Sequence, residues 1–184
     1  DDPAQLNAQD ENGATPLWNA VYFGEEEIVR ALLDAGASLD AHDPERIEAK
    51  TGDNFTVEVW RKPPDGTDRA PTGRGTLLHV AAAQAASPNV GRLLLEQGLE
   101  VDARDRYGCT PLHVALFHGA AGFVEMLLES GADPNVVDVV GYASIDHARS
   151  NIELVEMLLR HGASPDGEEH VSWGGKSYEW SGLT

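Results

Sequence analysis

The sequence predicts an all-α solenoid, in which short two-helix units stack on one another in a row. The first observation is an internal repeat, because residues 10–42 and 105–137 align over their whole length without a gap. The second is that each unit contains a short and a longer helical pattern, each with one apolar face. A helix pair of this size cannot bury its apolar faces alone, so neighbouring units must stack.

The first unit, residues 10–42, starts its short helix with Thr15 and Pro16. A threonine hydroxyl caps free backbone amides at a helix start, and proline fits the first helical position. Gly36 follows the longer helix, at the place where a residue in the left-handed conformation ends a helix. The same place is held in the other units by Gly98, Gly131 and Gly162.

The second unit spans residues 43–104 and contains an insertion at residues 44–74. Residues 46–62 alternate between apolar and polar side chains around a Gly-Asp-Asn turn, which predicts a β-hairpin. The rest of the insertion is rich in proline and glycine and is predicted to be a loop. Because lengthening a surface loop costs little free energy, the insertion is either merely tolerated or an arm that grips a partner through Trp60.

The third unit, residues 105–137, is a nearly complete copy, whereas the fourth, residues 138–168, departs from the pattern. The fourth lacks the Thr-Pro start, so we expect its first helix to be the least stable, with Ser144 as its cap. A Gly-Gly pair then predicts a second hairpin over residues 169–184. That hairpin either covers the last unit as a cap or forms a second projecting finger.

Composition narrows the class of protein and of partner. The chain has 184 residues, predicted to form a single domain, and 41% of them are hydrophobic. No apolar run approaches the roughly 20 residues that span a bilayer. The one cysteine excludes an intrachain disulfide, and we expect a cytoplasmic protein. The net charge of −18 would be repelled by nucleic acid and by anionic membranes, so we expect neither as a partner.

Charge is divided unevenly along the chain. Residues 43–75 hold seven acidic and six basic side chains, whereas the remaining residues hold 24 acidic and seven basic ones. The repeats therefore have a net charge of −17, and the insertion is nearly neutral. Because an acidic rim accelerates the encounter with a basic protein, we expect a protein partner, and this charge favours a basic one.

The repeated motif resembles the ankyrin repeat family. The resemblance is carried by Thr110-Pro111-Leu112-His113, followed by paired leucines and a Gly-Ala, and it covers residues 10–168 outside the insertion. It implies four stacked ankyrin repeats whose turns form fingers along one edge of a concave face. It also implies a non-enzymatic protein-binding module without a cofactor, and we expect a monomer.

The resemblance implies structural roles for the polar residues of the motif. The family uses the motif's histidine to hold turns together, which assigns this role to His79 and His113, while Trp18 replaces the histidine in the first repeat. We expect no metal site, because no third histidine or cysteine pair converges, and no nucleophile at Cys109. Asn135 resembles an asparagine that hydroxylases modify in this family, but we favour a plain loop role.

Binding residues in this family lie at the finger tips and on the inner helices. Carried over by position, and with Trp60 added from the insertion, the resemblance implies a contact surface rich in aromatic side chains. Its residues are Tyr22, Phe23, Trp60, Arg106, Tyr107, Phe117, His118, Val139 and Tyr142. Aromatic residues at the centre of an interface often supply most of the binding free energy.

Two hypotheses for function follow from these features. The leading one is a non-enzymatic module that binds a partner protein through the concave face and the finger loops. The alternative is an acidic inhibitor or immunity protein that neutralises a basic enzyme such as a nuclease toxin. The charge of the repeats and the length of the insertion motivate the alternative.

Overall fold

The computed structural model describes residues 3–10, 14–39, 75–105, 107–139, 141–148 and 151–165. Both predicted hairpins, within residues 44–74 and 169–184, lie outside the described residues. The described helices are α1 (Pro3–Leu6), α2 (Pro16–Tyr22), α3 (Glu26–Asp34), α4 (Leu77–Ala83), α5 (Pro88–Glu96), α6 (Pro111–Phe117), α7 (Ala121–Glu129), α8 (Ser144–His147) and α9 (Ile152–Arg160). An antiparallel bridge joins Val137 and Ala143.

From α2 onward the described helices form two layers. The short helices α2, α4, α6 and α8 pack side by side in an inner layer, and the longer helices α3, α5, α7 and α9 form an outer layer. Each short helix also packs on the long helix that follows it. Leu17, Leu78 and Leu112 hold the same position in successive inner helices, and all three are buried in one continuous core. The chain is therefore an all-α repeat solenoid, as predicted.

The starts of the inner helices follow the sequence signals. Thr15 is the N-cap of α2, and its hydroxyl accepts a backbone N–H at 3.2 Å. In α4 and α6, the Nδ1 atoms of His79 and His113 accept the N–H groups of Thr76 and Thr110, at 3.0 and 3.1 Å. These bonds satisfy amides that the first turn of a helix leaves unpaired.

The first helix of the fourth pair starts differently. Helix α8 has four residues, whereas α6 has seven, which agrees with its missing Thr-Pro start. The expectation that Ser144 caps this helix is wrong, because Ser144 is already helical and the N-cap is Ala143. The Asp146 carboxylate accepts the Ala143 N–H at 2.9 Å. Asp146 therefore does for α8 what His79 and His113 do for α4 and α6.

The turns between inner and outer helices require a left-handed backbone. Gly24 and Gly119 meet this requirement with φ values of +69° and +67°. The equivalent residue of the second pair is Ala85, with φ of +48°. A side chain in this region crowds the following carbonyl and costs roughly 1–2 kcal/mol, so the turn at Ala85 is strained.

Replacing Ala85 with glycine is expected to raise the free energy of unfolding by about 1 kcal/mol, because relief of strain exceeds the extra entropy of the unfolded chain. Urea denaturation followed by circular dichroism measures this change. The matched control is Gly24→Ala at the equivalent turn, which should lower the free energy of unfolding by a similar amount. A less stable Ala85→Gly protein would contradict the prediction.

Polar side chains connect the loops that follow the outer helices. Asn7 accepts the Ser38 N–H at 2.8 Å. Asn135 accepts the Ser164 N–H at 2.8 Å and donates its amide to the Gly162 carbonyl at 3.0 Å. These bonds give Asn135 a structural role between the third and fourth helix pairs, which the sequence did not predict.

The variant Asp102→Asn is expected to raise the free energy of unfolding by a few tenths of a kcal/mol, because solvent screens the charges at this largely exposed site. Asp102 holds the position equivalent to Asn135 and accepts the Asp133 N–H at 3.2 Å. Burial raises the pKa of Asp102, and the negative charge of Asp133 raises it further, so the ionised carboxylate is disfavoured there. An asparagine keeps the acceptor and removes the repulsion. Urea midpoints at pH 7 test this, with the reverse change Asn135→Asp as the destabilising control.

Candidate protein-binding surface

The two helix layers differ in charge. Helices α2, α4 and α6 contain no Asp, Glu, Lys or Arg. Helices α3, α5, α7 and α9 each contain at least two such residues, and acidic ones predominate. The acidic character of the described repeats therefore belongs to the outer helices and loops, while these three inner helices present uncharged side chains.

An aromatic cluster lies on α2 and the turn that follows it. Trp18 is only 3% exposed, and its ring stacks on that of Tyr22 with centroids 4.9 Å apart. The half-buried Tyr22 meets the ring of Phe23 edge-on at 5.1 Å, and Phe23 is 70% exposed. The tryptophan that replaces the motif's histidine thus supports two aromatic side chains that extend toward solvent.

Equivalent residues of successive inner helices form rows across the inner face. One row contains Tyr22, Ala83 and Phe117, all of them half-buried. The next row contains Phe23, Gln84 and His118, all of them exposed. The Phe117 and His118 rings stand edge-on at 5.4 Å. The sequence analysis did not include Ala83 and Gln84, because it assigned binding positions only in the other three repeats. Alignment of the second repeat on Thr76 would have identified both residues.

An aspartate at the start of each of three fingers shapes the loop that follows. Asp10, Asp105 and Asp138 each accept a hydrogen bond from the backbone N–H four residues later, at 3.0, 2.9 and 3.0 Å. A short carboxylate that bonds its own backbone in this way fixes a turn. Part of the acidic charge along the fingers is therefore used to hold loop geometry.

Apolar side chains are exposed on the fingers of the third and fourth pairs. Val139 and Tyr142 are each 47% exposed, and Tyr107 is half-buried. The Val139 N–H donates to the Tyr107 carbonyl at 3.0 Å, which joins the two fingers. We call Tyr107, Val139 and Tyr142 the finger patch. It brings three of the predicted contact residues together.

The motif histidine His79 joins two neighbouring repeats. Because His79 Nδ1 accepts an N–H, its proton is on Nε2, which donates to the Cys109 carbonyl of the next repeat at 3.0 Å. Burial lowers the pKa of His79 to about 4. Burial and the neighbouring His147 lower the pKa of His113 to about 4 as well. Both rings are neutral at pH 7. The hydrogen bonds confirm that each histidine holds the start of its helix and that His79 also bonds the next repeat.

Cys109 is buried at the same junction. Burial raises the pKa of its thiol, and the carboxylates of Asp105 and Asp138 raise it further. A thiol that stays protonated is not a nucleophile, so this cysteine is a packing residue. Across the described ranges, no group of three or more His, Cys, Asp or Glu residues is arranged to hold a metal ion.

The structure places the described contact residues on two parts of the surface. Tyr22, Phe23, Phe117 and His118 lie on the inner helices or directly after them, and the others form the finger patch. Trp60 and Arg106 lie outside the described residues. A binding role for any of them stays a prediction.

Comparison with known proteins identifies the repeat. The family model "Ankyrin repeat" matches residues 12–44, and the model "Ankyrin repeats (3 copies)" matches residues 47–138. The chain belongs to the ankyrin repeat family. Ankyrin repeats are in general non-enzymatic modules for protein–protein interaction. None of the described helices combines the length and apolar character needed to cross a membrane.

Curated relatives contain the same repeats within longer chains. The ankyrin repeat protein nuc-2 of Neurospora crassa is 31% identical over 165 residues, which cover 85% of this chain and 15% of that protein. Human ankyrin repeat and SOCS box protein 16 is 29% identical over 185 residues, which cover 88% of this chain and 41% of that protein. The E3 ubiquitin-protein ligase KEG of Arabidopsis thaliana is 37% identical over 152 residues, which cover 79% of this chain and 7% of that protein. This ankyrin repeat chain thus spans less than half the length of each of these relatives.

Proposed function

We propose that this chain is a non-enzymatic module that binds a partner protein through its inner face and its fingers. The observation that supports this best is the aromatic, uncharged surface of the inner helices. Fully buried residues such as Leu17 and Leu112 hold the helix layers together. Phe23 is 70% exposed, so the packing of the helices does not depend on it. Exposed aromatic side chains on a rigid scaffold are well suited to supply binding free energy.

The partner that fits this surface is apolar at the centre of its contact area and basic at the margin. A charged group placed against α2, α4 or α6 would lose its hydration without meeting an opposite charge on those helices. Glu25 and Glu27 are exposed shortly after Phe23 and would attract lysine or arginine at the edge. Net charge predicts a basic partner. The uncharged inner helices add that the partner's basic residues should surround an apolar patch that contacts these helices.

The remaining expectations stay part of this proposal. They are four ankyrin repeats in a single domain, with one hairpin in the insertion and one as a cap, and a monomer in the cytoplasm. The inhibitor alternative rests on the net charge of −17 across the repeats. Neither the described surface nor the relatives add support to that alternative.

Alanine substitution of exposed apolar residues tests the proposal. The intact chain and the variants Phe23→Ala and Tyr142→Ala are used to capture proteins from a native lysate, and the purified main partner is then titrated against each. Both variants are expected to weaken binding by about 2 kcal/mol, roughly 30-fold, because both side chains contact the partner.

The matched control is Ile152→Ala on the outer helix α9. Ile152 is 77% exposed, so this variant removes a similar apolar surface away from the inner face. It should bind the partner as tightly as the intact chain does. Equal binding by all the variants, or weaker binding by Ile152→Ala alone, would overturn the proposal.

The insertion is tested separately by deleting residues 46–72. If Trp60 contacts the partner, the deletion variant should recover less of it, and Trp60→Ala should reproduce most of the loss. If the deletion variant recovers the same partners with the same affinity, binding belongs to the repeats alone and the insertion is merely tolerated.

A further inference from the structure

The last outer helix, α9, presents apolar side chains to solvent along one side. Ile152 is 77% exposed, Leu159 is 42% exposed, and Val155 is half-buried. These residues are three and four positions apart, so they lie on one face of the helix. Val155 also packs against the hydrophobic core, so this open face borders the core at the end of the stack.

The same positions are covered in the earlier outer helices. Val124, the equivalent of Val155 in α7, is fully buried, and Leu128, the equivalent of Leu159, is only 5% exposed. The equivalent of Val155 in α5 is Gly91, where an added Cβ would contact two side chains of the next outer helix, α7. This side of an outer helix therefore faces the next repeat. In α9 it is the stacking face that the described residues leave open.

An apolar stacking face at the end of a repeat stack needs a cover. The terminal unit of a repeat protein generally presents a polar outer face, which keeps the stack soluble. Helix α9 instead presents Ile152, Val155 and Leu159 on this side. A contiguous apolar patch of this kind marks an interaction site, and its occupant must be apolar as well.

The segment that follows α9 has the composition of such a cover. Residues 166–184 lie outside the described part of the chain, and they contain Trp173 and Trp180, two of the four tryptophans in the sequence. Val171 and Tyr178 add further apolar surface. Tryptophan and tyrosine bury more area per residue than other side chains, so a short segment rich in them can cover a helix face.

The same segment is tethered close to the open face. The described chain continues to Pro165, in the loop that follows α9. Residues 166–171 can span up to about 20 Å when extended, whereas the apolar residues of α9 extend over only about 10 Å along the helix. Such a short tether gives the segment a high effective concentration at α9. A second copy of the chain has no tether, and its net charge of −18 repels the first.

We propose that residues 171–180 of this chain pack on the open face of α9, with the indole rings of Trp173 and Trp180 against Val155 and Leu159. The inference rests on the cap that is part of the proposed function, and it assigns to this cap a binding surface and contact residues. The segment thereby replaces the next repeat as the cover of the stack.

NMR spectroscopy of the unmodified chain tests the contact directly. With labelled methyl groups, Val155 and Leu159 should give nuclear Overhauser contacts to the indole protons of Trp173 or Trp180. The variants Trp173→Phe and Trp180→Phe assign the indole signals. The matched reference is Leu128, which is already buried and should give no contact to either indole. Absence of the contacts to Val155 and Leu159 overturns the inference.

A double-mutant cycle in the full chain measures whether the two parts are coupled. Leu159→Ser should lower the midpoint of thermal unfolding by about 5 °C. In the double variant Trp173→Ser/Trp180→Ser its effect should be less than half as large, because the cover over Leu159 is already lost. The matched control is Glu156→Ser, at another exposed position of α9, which should have the same effect in both backgrounds. Equal effects of Leu159→Ser in the two backgrounds would contradict the proposal.

The remaining outcomes separate this inference from the proposed function. If sedimentation shows a dimer that Leu159→Ser dissociates, a second copy covers α9 and the inference fails. If the double tryptophan variant loses the partner protein and the α9 contacts are absent, the segment is a second finger, so the inference fails while the proposed function stands. If the α9 contacts are present but Phe23→Ala and Tyr142→Ala bind the partner normally, the cap stands and the proposed function fails.

Discussion

Lowering the pH from 8 to 5 is expected to reduce the free energy of unfolding by about 4 kcal/mol, about 2 kcal/mol from each of two buried histidines. Burial lowers the pKa of His79 and His113 from 6.5 to about 4. Between these values the unfolded chain binds protons that the folded chain excludes. The contribution of the two neutral histidines to the free energy of unfolding is therefore fully present above pH 6.5, and it is lost as the pH falls toward 4.

Urea denaturation at a series of pH values measures this loss. The variants His79→Asn and His113→Asn keep a side-chain acceptor for the cap, as Asp146 does in α8, but they cannot titrate. Each should remove about half of the pH dependence, roughly 2 kcal/mol, and the double variant most of it. The control is Gln97→Asn, at an exposed position after α5, which changes no titratable group and should leave the slope unchanged. A double variant with the original pH dependence would contradict the assignment.

The variant Gly91→Val is expected to lower the free energy of unfolding by about 3 kcal/mol. Gly91 lies in α5 where this helix packs on α7. A Cβ atom there would overlap Met126 Cε and lie 2.9 Å from Phe123 Cζ. The end of Met126 is flexible, but Phe123 is rigid and both side chains are buried, so the larger valine side chain must displace packed core groups. The gain from removing a helical glycine is about 1 kcal/mol at most and does not offset this overpacking.

Thermal and urea unfolding of a small series checks this prediction. Gly91→Ala should lower stability less than Gly91→Val does. The control is Gly122→Ala on the facing helix α7, where an added Cβ would meet only Pro88 Cγ at 3.4 Å. That control should be neutral or slightly stabilising. Met126→Ala should be less harmful in the Gly91→Val background than alone, because both changes act on the same space. A Gly91→Val protein of unchanged stability would show that α5 and α7 do not pack this closely.

The position of Gly91 shows what sequence comparison alone leaves undecided. The equivalent residues in the first and third pairs are Val29 and Val124, both fully buried. Alignment of the repeats would thus recommend valine at Gly91 as a harmless change. The opposite expectation comes from the size of Phe123 and Met126 on the next outer helix, and this depends on how the two helices stack.

The candidate binding surface was likewise predicted only in part from the sequence. Its contact residues were predicted from their repeat positions, and Phe23, Val139 and Tyr142 are indeed exposed. The place of Ala83 in the row between Tyr22 and Phe117 was not predicted, because an alanine carries no signal of its own until the three inner helices pack side by side. Net charge predicted an acidic rim around the binding surface, and the structure adds that the charges lie mainly on the outer helices and loops.

The sequence by itself determined the repeat, the order of its helices, their capped starts at Thr15 and Thr110, and the glycines that end the outer helices. These features depend on interactions between residues a few positions apart, so the order of the residues specifies them directly. Only the tertiary structure decided that Phe123 and Met126 crowd Gly91, and that Tyr22, Ala83 and Phe117 lie in one row across α2, α4 and α6. Those features depend on helices about 30 or more residues apart along the chain, whose contacts exist only once the layers have stacked.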